Sequence, residues 1–117
     1  MQINKQPEEL RNGYKDKARL AAISAMPCIV CKNIGMNQVF RTEVHHLTGG
    51  GLGLKVSDLF SIPLCSFHHQ RGGKGEAVHS GVKSFEARFG TQKELLEQVN
   101  KILGENENHK RTPKTYN

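Results

Sequence analysis

The sequence predicts a small α+β domain with a Cys3His metal knuckle and flanking helices. Cys28 and Cys31 form a Cys-x2-Cys pair, and Cys65 and His68 form a Cys-x2-His pair, so four ligands suited to tetrahedral zinc recur at short spacing. Two runs with strand character, Val39 to Val44 and Ser61 to Leu64, flank a glycine-rich connection. Leu95, Leu96, Val99, Ile102 and Leu103 repeat on one helical face.

Composition explains why a metal would be needed. The chain has 117 residues, 36% of them hydrophobic, with no Trp and 12 Gly, so its aliphatic core is thin. Metal–ligand bonds are a common remedy in domains of this size. Three cysteines cannot all pair in disulfides, which points to a reducing compartment, the cytoplasm. No stretch approaches the roughly 18 apolar residues of a membrane span, and the start Met1 to Pro7 lacks the apolar core of a signal peptide. A membrane partner is therefore not expected. Seventeen Lys and Arg against eleven acids give a net charge of +6, which favours a polyanion such as nucleic acid.

In order along the chain, residues 1–12 read as a flexible arm and Tyr14 to Ala25 as a short helix ended by Pro27. The Cys28 to Cys31 knuckle follows, then a polar turn from Lys32 to Asn37 and the first strand. Thr48 to Gly53 reads as a flexible connection to the second strand. Cys65 to Gln70 starts a helical turn, cut off by Arg71 to Gly75. Beyond His79, Val82 to Phe89 forms a helix stopped by Gly90. Thr91 and Glu94 have the form of a capping box opening the last helix. Gly104 ends that helix, and residues 104–117, His109 among them, form a disordered basic tail.

Cys28, Cys31, Cys65 and His68 form a closed site, which scaffolds rather than catalyses because no position is left for substrate. His69, about 100° from His68 if helical, is free to face elsewhere. With His45 and His79 it supplies three imidazoles for a second ion; zinc, manganese or nickel suits them better than magnesium, which is admitted where phosphate and water complete its shell. Such an ion would bind a scissile phosphate and the leaving 3′ oxygen, while unligated His46 takes a proton from the attacking water. Successive strand residues point to opposite faces, so the strand must end or twist for His45 and His46 to serve one site.

His45-His46 at a strand end, Ile62 to Cys65 as a second strand and His68-His69 on the following helix resemble the HNH, or ββα-metal, endonucleases. The run His45 to Gly53, with Ile62 to Gln70, His79-Ser80-Gly81 and Lys83 to Gly90, is similar to the phage Ref family of recombination enhancement nucleases. The likeness covers roughly Met26 to Leu103. It implies a nuclease domain over 13–103, a divalent cation (Mg2+, Mn2+ or Zn2+) beside a structural Zn2+, and a DNA substrate, single-stranded or a recombination intermediate, cut in concert with a RecA filament. The middle Asn of the HNH pattern would fall near Phe60, and the nearest polar residue is Asp58.

The glycine run lacks the Lys-Ser/Thr ending of a P-loop and the strand–helix context of a dinucleotide site, which argues against a phosphate cradle there. Arg41, Lys55, Arg71, Lys74, Lys83 and Arg88 surround the histidines in sequence and are the candidate DNA-phosphate contacts. A non-catalytic zinc module that binds DNA or a recombinase is the alternative, and an HNH-like enzyme acting on RNA a third reading.

Overall fold

The computed structural model describes residues 8–49 and 55–110, with side chains as far as Gly104. Four helices and a two-stranded antiparallel sheet make up its regular structure: α1 (Lys17–Ser24), α2 (Ile29–Ile34), β1 (Thr42–His46), β2 (Ser61–Cys65), α3 (Val82–Phe89) and α4 (Gln92–Lys110). The α+β class is as expected. No described helix is long and apolar enough to cross a membrane.

Asp16 caps α1 by accepting from Arg19 N at 3.0 Å, so the helix starts later than Tyr14. Where a polar turn was expected after the cysteine knuckle, the chain instead forms α2. Cys28 Sγ accepts from Cys31 N, and Gly35, at φ 72°, takes the left-handed conformation that closes the helix.

The first strand lies three residues later than its apolar pattern suggests. It pairs with β2 from Thr42↔Cys65 to His46↔Ser61, and the partner offers no ladder for Val39, which is 84% exposed. Gln38 satisfies the backbone just before the strand, accepting from Cys28 N at 2.7 Å and donating to Phe40 O at 2.7 Å. β1 ends at His46, but only after both histidines have paired with β2. Both residues stand in the ladder, so alternation sends their side chains to opposite faces.

β2 is buried throughout and leads into a π-helical turn, Phe67–Arg71, closed by Gly72 N donating to Phe67 O at 2.8 Å. The core gathers Ile23, Ile29, Val30, Ile62, Leu64, Phe85, Leu95 and Val99 around the sheet. The capping box is present, with Thr91 N donating to Glu94 Oε1 at 2.9 Å and Glu94 N to Thr91 Oγ1 at 3.0 Å. α4 runs through Gly104 to Lys110, past the expected stop. One glycine costs a helix only about 1 kcal/mol relative to Ala, and no proline follows within the described residues to enforce an end.

Of the expected arm, Glu8–Leu10 form a 3-10 turn, and Gly13 N donates to Lys55 O at 2.6 Å. Residues 1–7, most of the glycine run, the His109 side chain and the end of the tail from 111 lie outside what is described.

One cation ties three elements. Arg19 donates to Ser61 Oγ at 3.1 Å, Ser61 O at 2.7 Å and Asn100 Oδ1 at 2.8 Å, joining α1, β2 and α4. Replacing Arg19 with Met removes the partner of Ser61 O, while Ser61 Oγ keeps its bond to Asp58 O, and should destabilise the fold by about 2 kcal/mol, read from urea unfolding.

Candidate metal centres

α2 delivers Cys28 and Cys31, the end of β2 delivers Cys65, and the π turn delivers His68; all four are buried. His68 Nδ1 lies 3.7 Å from Cys28 Sγ, 3.6 Å from Cys31 Sγ and 3.4 Å from Cys65 Sγ, while Cys31 Sγ and Cys65 Sγ are 3.9 Å apart. Tetrahedral zinc bond lengths give ligand–ligand edges of about 3.8 Å between sulfurs and about 3.6 Å from sulfur to nitrogen. The group therefore fits zinc. Burial, then the neighbouring thiols, push Cys31 up to about 12, and burial raises Cys28 as well. Thiolates form in such a place when a cation compensates them. His68 Nε2 is buried without a hydrogen-bond partner among the described residues, with Phe67 and Phe89 edge-on at 5.2 and 5.3 Å.

A second group uses the next residue. His45, His69 and His79 each offer a nitrogen within 4.8 Å of the others. β1 brings His45, the π turn His69, and the 3-10 turn Val78–Ser80 His79. His69 Nε2 and His79 Nε2 are 3.1 Å apart, close to the edge of about 3.3 Å that zinc–nitrogen bonds give. Two imidazole lone pairs facing at this distance repel unless a proton or cation is shared. His45 is 1% exposed, and burial lowers its pKa to about 4, so its ring is neutral and ready to ligate at pH 7. Burial also lowers His79.

Two side chains that the sequence did not single out hold these rings. Glu43 Oε1 accepts from His69 Nδ1 at 2.7 Å, and this bond, above all, holds the Glu43 carboxyl below its ordinary range. The lone pair of His69 is thereby left on Nε2. Gln92 Oε1 sits 2.8 Å from His45 Nε2. The amide is oriented by Thr48, whose N donates to Oε1 at 3.2 Å and whose O accepts from Gln92 Nε2 at 2.8 Å. His45 Nε2 must then carry the proton, leaving its lone pair on Nδ1. Partners of this kind fix the tautomer of metal-ligating histidines. Glu43 stands two residues before His45 on the same strand face, a period-2 signal that could have found it; Gln92 is 47 residues from His45 and carries no such signal.

His46 lies outside this trio. Its side chain is 38% exposed and its Nε2 lies 2.9 Å from Asp58 Oδ1. Asp58 Oδ2 accepts from Asp16 N at 2.7 Å. Burial works to raise the Asp58 carboxyl, but the Asp16 and His46 hydrogen bonds outweigh it and leave it below its ordinary value.

All six candidate cations are exposed. Arg71 and Lys74 lie on or between the elements that carry His69 and His79, and Lys83 and Arg88 lie on α3, which follows them. Arg71 stacks over Phe40 at 5.3 Å, and Arg88 is paired with Glu76 at 2.6 Å. Arg41 precedes β1, and Lys55 borders the groove below His46.

The fold and the buried Cys3His group define a small α+β domain able to hold a structural metal. Residues 13–104 match the family described as recombination enhancement, RecA-dependent nuclease, and the chain belongs to that family. A stretch of 77 residues, 63% of the chain, is 36% identical to the uncharacterized protein YdfU of Escherichia coli K12 and covers 19% of it. The chain thus spans about a fifth of that relative. No solved structure matches.

Two outcomes are expected. Total metal analysis after dialysis should find about one zinc per chain, and Cys65→Ser should lose it and unfold, seen by circular dichroism. Imidazole 15N shifts at neutral pH should show His45 protonated on Nε2, and Gln92→Ala should redistribute that proton between the ring nitrogens; an Nδ1–H tautomer in the unaltered protein would overturn the assignment.

Proposed function

We propose that this chain is a metal-dependent DNA endonuclease of the HNH, ββα-metal type, acting in recombination with a RecA filament. The observation that carries the proposal is the convergence of His45, His69 and His79 from three elements, with Gln92 and Glu43 fixing two of the rings. Such outer partners have no evident role in a merely solvated histidine cluster. The order β1, β2, then a helical turn bearing His68-His69 supports the HNH type, and family membership supports the nuclease reading.

In this reading His45, His69 and His79 hold a divalent cation, which supplies charge stabilisation for the scissile phosphate and the departing 3′ oxygen. His46 is the general base. With Nε2 bonded to the Asp58 carboxylate, its remaining nitrogen, Nδ1, accepts a proton from the water that attacks phosphorus. Asp58 holds the ring in that tautomer and stabilises the imidazolium that results, and its own bond to Asp16 N keeps the carboxylate ionised. Asp58 thereby takes the bracing place left open by Phe60.

The test is nicking of single-stranded and supercoiled DNA with added divalent ion, with and without RecA filaments. His46→Ala should cut about 10²- to 10⁴-fold more slowly with its zinc content unchanged. Equal cutting by both proteins would sink the base assignment. Absence of cutting with every metal tried would favour a zinc-braced module that binds DNA or a recombinase.

A further inference from the structure

We infer that the groove on the His46 face of the sheet holds the phosphodiester backbone on one flank of the cut DNA strand, with Lys15, Lys17 and Lys55 as its phosphate contacts; this rests on the endonuclease reading above. The groove encloses about 720 Å³ between the start of α1 and the segment before β2, bordered by Lys15, Lys17, Leu20, His46, Lys55 and Asp58.

Strand alternation locates it. His45 and His46 face opposite sides of β1, yet one phosphate has to be served from both. Past His46 the chain leaves the ladder, with Leu47 N donating to Phe60 O. A phosphate at this end of β1 is the one reachable from the two faces, and a strand continuing beyond it on the His46 side enters the groove. Its other flank runs toward His69 and His79, whose neighbours in the chain include Arg71, Lys74 and Lys83.

Charge points the same way. Asp58, which borders the groove, and Asp16 beside it are already engaged. Asp58 accepts from His46 and Asp16 N, and Asp16 Oδ1 caps α1. Lys15 lies close enough to help hold Asp58 ionised, but among the described residues none of the three lysines forms an ion pair. All three are exposed. The result is a cationic channel opening at the proposed base, complementary to a polyanion. Lys15 and Lys17 drew no attention in the sequence because they sit 28 or more residues before the histidine pair.

The experiment measures fluorescence anisotropy of a labelled single-stranded oligonucleotide against the zinc-containing protein, with no second divalent ion added, so that binding is read without cutting. Titrations span about 50 to 200 mM salt. The combined variant Lys15→Ala, Lys17→Ala, Lys55→Ala should lower the log–log salt slope by about 2, since each lost phosphate contact on a single strand removes about 0.7. Lys32→Ala, exposed on α2 away from the groove, should leave it unchanged. Circular dichroism and zinc content check that the triple variant is folded. A folded triple variant with the slope of the unaltered protein, or an equal fall with Lys32→Ala, overturns the groove, and nicking by the unaltered protein would still stand. If the slope falls as expected while His46→Ala cuts normally, the groove stands and the base assignment fails.

Discussion

The Cys28, Cys31, Cys65 and His68 group is the constraint on which the remaining geometry depends. It joins α2 to the end of β2 and to the π turn, three segments that otherwise share a thin apolar core. Because His68 is drawn inward by the three sulfurs, its neighbour His69 is carried round the helical turn toward His45 and His79. Scaffold and candidate site are thus two consecutive residues. A change in how the first sits in its sulfur cage moves the second.

The same economy appears in β1. One strand contributes Glu43 and His45 to one face and His46 to the other, each held by a partner from a different part of the chain. Gln92 reaches His45 from the first residue of α4, whose backbone N–H is itself held by Glu86 at 2.8 Å and whose helix start is fixed by the Thr91–Glu94 box. The junction of α3 and α4, remote in sequence from the histidine pair, therefore sets which nitrogen His45 offers. Such supporting bonds cost little to build on rigid elements and hold side chains where a flexible loop could not.

Much of this was legible in the sequence. The four-ligand knuckle follows from spacing alone, because two short pairs with soft donors leave few other arrangements. The capping box and the apolar face of α4 follow from local hydrogen bonding and helical period, and the structure shows both. The start of β1 was misjudged because an apolar run says where a strand is favourable, while pairing with residues 61–65 says where it exists. Likewise Gly104, Asn106 and Asn108 are poor helix formers, yet α4 extends over them once a packed helix has been nucleated.

The sequence by itself determined which residues can bind metal, that two groups of them separate by spacing, and that the chain is basic. These are properties of side-chain chemistry and local period. The tertiary structure decided the rest: that His46 faces away from His45 and pairs with Asp58, that Gln92 and Glu43 fix the tautomers, and that Lys15 and Lys17 border the same groove as His46. Those relations join residues 12 to 47 positions apart, or opposite faces of one strand, and arise from ladder register and helix packing. No local pattern in a single chain encodes them.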